Sequence, residues 1–306
     1  EKAGKEVVTD EHVAKVEEVV TENVSKLTEK FGKAVEGYPI SPSRQALLGA
    51  EASVYYLAVN LEDETMANKD LRHAISLAIN RQNICDKVLN GTGTPAADFT
   101  SPLTPGYSDS LTGSDNLKYN EKKAKELWDK ANAISPWTAD DKLTFAYNAD
   151  GGHEVIYTAV VNSINNVLGD GVAATNPYPT FNDFRTAVSD RKVNGAFRSG
   201  WQPDYPSAEN YLMQNFASSA ADGNGSNDGD YKNSKFDDLC NQAAASKTTD
   251  DANKLYQKAQ EVLLNDLPAV PLYYANAYGV ASTGVSGFEM NWQNLPVYEN
   301  MTKSGK

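Results

Sequence analysis

Thiols and imidazoles are scarce in this chain: two cysteines and three histidines among 306 residues. Cys85 and Cys240 cannot supply a four-thiolate metal site or a disulfide scaffold, although one bridge between them, or two buried free thiols, both stay open. His12, His73 and His153 lie far apart and form no HExxH pattern, and no CxxC pair exists, which speaks against a transition-metal enzyme. Apolar runs are short, none approaching the ~18 residues a membrane-spanning helix requires. Positive charge is in deficit, 28 Lys and Arg against 41 Asp and Glu, so the net charge is −13. That balance disfavours nucleic acid or an anionic membrane surface as the main partner. No basic and then apolar segment follows Glu1, so no signal peptide is expected, and the sequence reads as a mature form, a processed piece or an excised portion. Neither a G-x-S-x-G elbow nor a G-x-x-x-x-G-K-[ST] phosphate loop occurs, and no catalytic set emerges.

The hydrophobic pattern is that of a mixed α/β protein. Thr9 is placed to cap a helix carrying Val13, Val16 and Val20, broken by Tyr38-Pro-Ile-Ser-Pro-Ser43. Residues 54–59 read as a strand. Asn68 opens a helix with Leu71, Ile75, Ala78 and Ile79 on one face, and Asn80 a second one that ends at Asn90-Gly91. Residues 92–118 read as loop, and Asn120 starts a helix through Trp128. Strands at 143–147, 172–175 and 196–201 then alternate with helices. Ile156, Val160, Ile164 and Leu168 repeat every fourth residue up to Gly169, and Thr180-Phe-Asn-Asp183 resembles a capping box. Pro206 is expected in the first turn of the helix ending near Phe216, and 217–230 as a flexible surface loop. Helices capped by Ser234 and Thr249 follow, then a strand at 270–274 and short strand signals in the tail. The order βααα, βα, βα, βα, αα, β contains no internal repeat.

Four stretches together resemble the extracellular solute-binding proteins of ABC importers, in the dipeptide/oligopeptide-binding family. Tyr55-Tyr-Leu-Ala-Val-Asn60 and Lys69-Asp-Leu-Arg-His-Ala-Ile-Ser-Leu-Ala-Ile-Asn-Arg81 are similar to the family's strand and its D-x-R-x-A-I-x-x-A-I-D/N-R helix. Phe197-Arg-Ser-Gly-Trp-Gln-Pro-Asp-Tyr205 resembles its G-W-x-x-D turn. Tyr231-Lys-Asn-Ser-Lys-Phe-Asp-Asp-Leu239 with Leu255-Tyr-Gln-Lys-Ala-Gln260, and Leu267-Pro-Ala-Val-Pro-Leu-Tyr-Tyr274, complete the set. The resemblance begins partway through the family pattern and implies the carboxy-terminal portion of a longer, two-lobed protein. It implies a periplasmic-binding-protein-like fold, with 1–57 a remnant of lobe I, 58–274 the ligand-binding lobe II, and 275–306 the return into lobe I. It further implies no enzyme and no cofactor. The partners implied are a peptide clamped between two lobes, a membrane permease and the missing amino-terminal portion. The implied place is the periplasm or the outer face of the cytoplasmic membrane, with a lipid anchor. The same architecture also binds oligosaccharides and nickel complexes, and a sensory module that transports nothing is a further class.

Carried over position by position, the resemblance singles out Asp204 for the ligand's α-amino group, which a desolvated carboxylate suits. The plainer reading is an acid favoured by a helix N-terminus. Trp201 would wall the ligand, or fill core. Arg198 would bind a ligand carboxylate in fork geometry, or point to water. His153 matches a position that reads peptide length, against a helix-start residue facing solvent, and Tyr205 would line the same rim. Arg72 and Arg81 are expected to hold structure by pairing with acidic neighbours. Asp222-Gly-Asn-Gly-Ser-Asn-Asp-Gly-Asp230 spaces its oxygens as a calcium loop does, but Asn227 and Asn233 stand where Gly and Glu are required, so a polar loop is the better reading.

Overall fold

The structure, a computed structural model, describes residues 46–304 apart from 136, 139, 140, 282, 283 and 292. The expected helix over Val13–Val20 and its break at Tyr38 lie outside the described residues, as does His12.

Alternating and continuous apolar runs build a seven-stranded sheet. The strands are β1 (Ala46–Ala50), β2 (Val54–Val59), β3 (Gly93–Pro95), β4 (Leu143–Asn148), β5 (Ala173–Tyr178), β6 (Ala196–Trp201) and β7 (Ala269–Val280). Their order is β1-β7-β2-β6-β4-β5, with β3 also on β7. β4 is parallel to both β5 and β6, whereas β2 runs antiparallel to β6 and β7. The β2–β7 register slips between Tyr55, opposite Tyr273, and Tyr56, opposite Pro271. Pro271 has no N–H to give the ladder, and a bulge tolerates it. β7 is long enough to pair with β2 through its first half and with β1 through its second, which sets 46–50 beside 276–280.

Helices cover both faces. On one lie α1 (Lys69–Ala78), α2 (Arg81–Asn83, continued by a π-turn over Ile84–Val88), α3 (Glu121–Ile134) and α4 (Glu154–Leu168). On the other lie α5 (Phe181–Ser189), α6 (Ala208–Phe216), α7 (Ser234–Ala244) and α8 (Thr249–Asp266). Two cores result. One gathers Leu57, Ile75, Phe145, Ile164 and Leu272, the other Tyr56, Phe197, Leu212, Phe236 and Leu263. The period-2 alternation of strand side chains assigns neighbours such as Tyr56 and Leu57 to opposite cores. Two short strands, β8 (Val285–Ser286) and β9 (Thr302–Lys303), pair with each other in the tail. Among the described residues no helix is long and apolar enough to cross a membrane.

Caps explain the helix starts. The side chains of Asn68, Asn120 and Thr180 accept hydrogen bonds from the N–H groups of Leu71, Lys123 and Asp183, as expected. Two caps fall one residue earlier than expected: Asn233 in place of Ser234, and Thr248 in place of Thr249. Pro206 precedes the cap of α6, Ser207, and is not in its first turn. The stretch 92–118 contains β3 and a 3₁₀ turn at Ser114–Leu117.

Arg72 and Arg81 are buried structural residues, but their main partners are carbonyls. Arg81 donates to the oxygens of Leu117, Pro271 and Ser76 at 2.6–2.8 Å, tying α1, the 3₁₀ turn and β7. Arg72 donates to Met66, Ala67, Asp266 and Leu267 oxygens in the same way. Segment 217–230, expected as a flexible surface loop, is tied to its surroundings by hydrogen bonds and ion pairs. Asn227, 1 % exposed, donates to Ala217 O and Tyr231 O and accepts from Tyr231 N–H. Asp228 and Asp230 receive Arg185 and Arg191 at 2.8 and 2.6 Å, so these carboxylates bind guanidinium groups from and beside α5. Cys85 and Cys240 are free, buried, and in different cores, so no bridge joins them.

Candidate functional site

The parallel strands β4, β5 and β6 all end on one side of the sheet, and β2 begins there. In open α/β sheets this edge is where ligands settle, because loops at the carboxyl ends of strands enclose a crevice. Here those loops are 149–153, 179–180 and 202–207, joined by the entry turn 51–53. At this end of the sheet, between the entry turn and start of β2, the end of β6 and the start of α5, opens a cleft of about 340 Å³, within the range of small-ligand sites.

β6 supplies its floor. Arg198 lies opposite Leu57 and Gly200 opposite Tyr55 in the β2 register. A Cβ on Gly200 would stand 3.0 Å from Val54 O and 3.1 Å from the Tyr55 ring, so glycine lets β2 and β6 approach at the cleft. Arg198 is half-buried and its Nε, fully enclosed, has no hydrogen-bond partner. Its charge reaches three tyrosines, Tyr55, Tyr157 and Tyr273. The Tyr55 and Tyr273 rings stack at 4.9 Å and the Tyr147 and Tyr157 rings at 5.2 Å. A half-buried guanidinium whose charge is felt by these tyrosine hydroxyls makes this end of the sheet attractive to an anionic or carbonyl oxygen.

Trp201 closes β6 and also lines the cleft. Its Nε1–H donates to Asn210 Oδ1 at 2.8 Å. The same oxygen accepts the Asp204 N–H at 3.1 Å, and Asn210 Nδ2 donates to Asp204 Oδ2 at 3.4 Å. Asn210, 1 % exposed on α6, therefore fastens the aromatic wall and the acid to a single buried amide. Asp204 is exposed on the adjoining rim rather than in the cleft wall. Tyr205 is also exposed, and its hydroxyl donates to Glu209 along the first turn of α6. His153, half-buried at the start of α4, is pushed down to about 4 by burial and by the Arg198 charge, with Asp150 opposing, so it is neutral at pH 7. Asp150 accepts from Asn148 Nδ2 at 2.7 Å and from Phe181 N–H at 3.0 Å, which ties the loop after β4 to the start of α5.

Of the five candidate residues, the structure puts Arg198 and Trp201 in one cleft, His153 within reach of the Arg198 charge, and Asp204 and Tyr205 on the rim beyond Trp201. Asn210 and the tyrosines around Arg198 were not expected. The Tyr55-Tyr56 pair was legible only as strand, and an Asn six residues past Asp204 carries no signal without its distances. The Arg185–Asp228 ion pair also lines the cleft.

A larger cavity of about 620 Å³ lies at the opposite end of the sheet, beside Trp128 and Trp137. Several of its polar side chains are already engaged: Asp63 accepts from Thr65 and Gly195 N–H, Asn68 from Leu71, Asn132 from Trp137 and Asp141 from Thr138. The smaller cleft keeps unsatisfied buried groups, which makes it the stronger candidate. Among the described residues no three His, Cys, Asp or Glu side chains converge as a metal site would need.

The family profile described as "Bacterial extracellular solute-binding proteins, family 5 Middle" matches residues 15–223. The periplasmic oligopeptide-binding protein OppA of Salmonella typhimurium is 32% identical over 227 residues, 72% of this chain and 39% of that protein. The dipeptide-binding protein DppE of Bacillus subtilis is 26% identical over 242 residues, 78% of this chain and 43% of its own length. In three dimensions the chain resembles the oligopeptide-binding protein AppA of Bacillus subtilis, solved with a nonapeptide. The TM-score is 0.72 at 20% identity, covering 95% of this chain and 59% of that one. The chain thus has the fold of these proteins and spans less than half the length of the curated relatives named here.

Proposed function

The chain belongs to the bacterial extracellular solute-binding proteins of family 5, and we propose that it is the carboxy-terminal portion of a peptide-binding component of an ABC importer. It is not an enzyme on this reading. It holds a peptide between two lobes outside the cytoplasmic membrane and hands it to a membrane permease. Residues 54–274 form the ligand-binding lobe, because β2 pairs with β6 along its whole length and carries Tyr56 and Leu57 into the two cores; the residues before β2 and 275–306 belong to the other, and the missing amino-terminal portion supplies the opposing wall. Closure is a hinge motion about β2 and the 272–275 stretch of β7. The intact protein is periplasmic, or lipid-anchored on the outer face.

One observation carries this reading: Trp201 and Asp204 are held by the same buried amide beside a cleft that offers Arg198. A zwitterionic peptide has an ammonium, a carboxylate and an apolar body, and these three groups answer them. Asp204 takes the α-amino group, Trp201 packs against the chain, and Arg198 takes the carboxylate. Neutral His153 bounds the far end and Tyr205 the rim. Asp204 is open to water in this chain alone and becomes desolvated when the other lobe closes, where a charge pair gains strength.

Isothermal titration of the whole protein with di- to octapeptides tests the proposal. Saturable micromolar or tighter binding by at least one length class is expected. No heat and no thermal stabilisation from any of them would overturn it.

A further inference from the structure

Asparagine followed by glycine is a chemically fragile pair, because a glycine nitrogen, with no side chain beside it, closes readily on the asparagine side-chain carbon. This chain has three such pairs: Asn90-Gly91, Asn194-Gly195 and Asn224-Gly225. All three asparagines are exposed, so exposure of the side chain does not separate them. The glycine N–H does. Gly91 N–H donates to Cys85 O at 2.9 Å, closing the end of the π-turn. Gly195 is buried, and its N–H donates to Asp63 Oδ2 at 2.8 Å just before β6. Gly225 is exposed and, among the described residues, its N–H meets no acceptor.

Ring closure needs the glycine nitrogen free to lose its proton and turn its lone pair on the asparagine Cγ. At Gly91 and Gly195 a hydrogen bond from that nitrogen must break first, which takes a local opening of the structure. At Gly225 no such bond has to break. Asn224 Nδ2 donates to Ala221 O at 3.0 Å, and rotation of the side chain alone releases it. We infer that Asn224 is a site of spontaneous covalent modification, its amide passing through a succinimide to isoaspartate and aspartate while Asn90 and Asn194 are spared. The net reaction is a hydrolysis. The Gly225 N–H gives its proton to hydroxide, its nitrogen bonds to Asn224 Cγ, and the side-chain nitrogen leaves as ammonia with a proton from water. Water then adds to one of the two ring carbonyls and breaks its C–N bond. Opening at Cγ gives aspartate, with a carboxylate in place of the donor to Ala221 O. Opening at the main-chain carbonyl reroutes the chain through the side chain as isoaspartate and lengthens it just ahead of buried Asn227. Ser226 and Asp228, immediately beyond, line the cleft, so the change falls beside the cleft's own wall.

The test holds the whole protein in mildly alkaline buffer, native and in urea, and locates isoaspartate by peptide mapping with mass spectrometry. In urea the three pairs should react at similar rates, since the same dipeptide is free in each. In the native protein Asn224 should lead, and Asn90 and Asn194 should lag it by roughly fivefold or more, the factor set by breaking one N–H hydrogen bond. Asn224→Gln keeps an amide but closes a larger ring slowly, and it should remove the first acidic species seen on isoelectric focusing. Native Asn90 or Asn194 reacting as fast as Asn224 would overturn the assignment. So would all three being protected alike in the native protein, or an early acidic species that survives Asn224→Gln. None of these outcomes turns on what the cleft binds.

Discussion

Asn210→Ala should unfasten the cleft's aromatic wall. The substitution removes the acceptor for the Trp201 indole N–H at 2.8 Å and for the Asp204 N–H at 3.1 Å. The third contact, 3.4 Å to Asp204 Oδ2, is long and counts for little. Two neutral bonds at about 0.5–1.5 kcal/mol each predict a loss of about 1–3 kcal/mol in urea-induced unfolding. Asn210→Asp separates this from simple loss of volume. It keeps an acceptor for both N–H groups but turns the contact with Asp204 into one between two carboxylates. At that separation the repulsion is about 1–4 kcal/mol, and the exposure of Asp204 puts it at the lower end. Repulsion raises the folded-state carboxyl pKa above the unfolded one. The contribution is therefore harmless at low pH and grows as pH rises. Asn210→Asp should fall short of wild type by about 1–2 kcal/mol at pH 7.5 and recover most of that near pH 4. A loss under about 0.5 kcal/mol for Asn210→Ala, or an Asn210→Asp variant whose pH profile parallels wild type, would refute the role given to this amide.

In the whole protein, Asp204→Asn should weaken peptides with a free amino terminus by about 1.5–3 kcal/mol and leave N-acetylated ones nearly unchanged, measured by calorimetry as a double-mutant cycle; equal losses would reduce Asp204 to a helix-start residue. The present chain alone should bind the same peptides at least ~100-fold more weakly than the whole protein, because one face of the ligand stays in water. His153, lowered from its ordinary value near 6.5 to about 4, takes up a proton in the unfolded chain before the folded one. Stability therefore falls as pH drops from 6.5 towards 4, and His153→Gln should narrow that fall relative to wild type in parallel denaturation curves.

Much of the fold was legible because local rules decide it. The strand at Val54–Val59, the helix from Asn68, the stop at Gly169 and the Thr180 cap each follow from a few adjacent residues. The failures are of another kind. Asn233 and Ser234 are both good caps, and only the extended backbone at Asn233 chooses between them. β3 is three residues whose partner strand lies some 180 positions later, and nothing local announces it. Composition made 217–230 look floppy, yet Asn227 is buried and two arginines from another segment hold the acids. The site divides in the same way. Arg198 and Trp201 were visible in a motif, but the group that fastens Trp201, Asn210, is an ordinary residue until distances single it out.

The two cysteines, one in each core, make the protein its own probe of unfolding. Burial pushes both thiols up to about 12, so at neutral pH they are protonated, enclosed and inert to alkylation. Each reacts only when its own layer opens. Cys85 reports on the layer of α1–α4 and Cys240 on the layer of α5–α8, with the sheet as partition between them. Since β2, β6 and β7 contribute side chains to both layers, neither can leave without uncovering the other. Under native conditions both thiols should label at one shared rate, the signature of a partition that opens as a single cooperative unit.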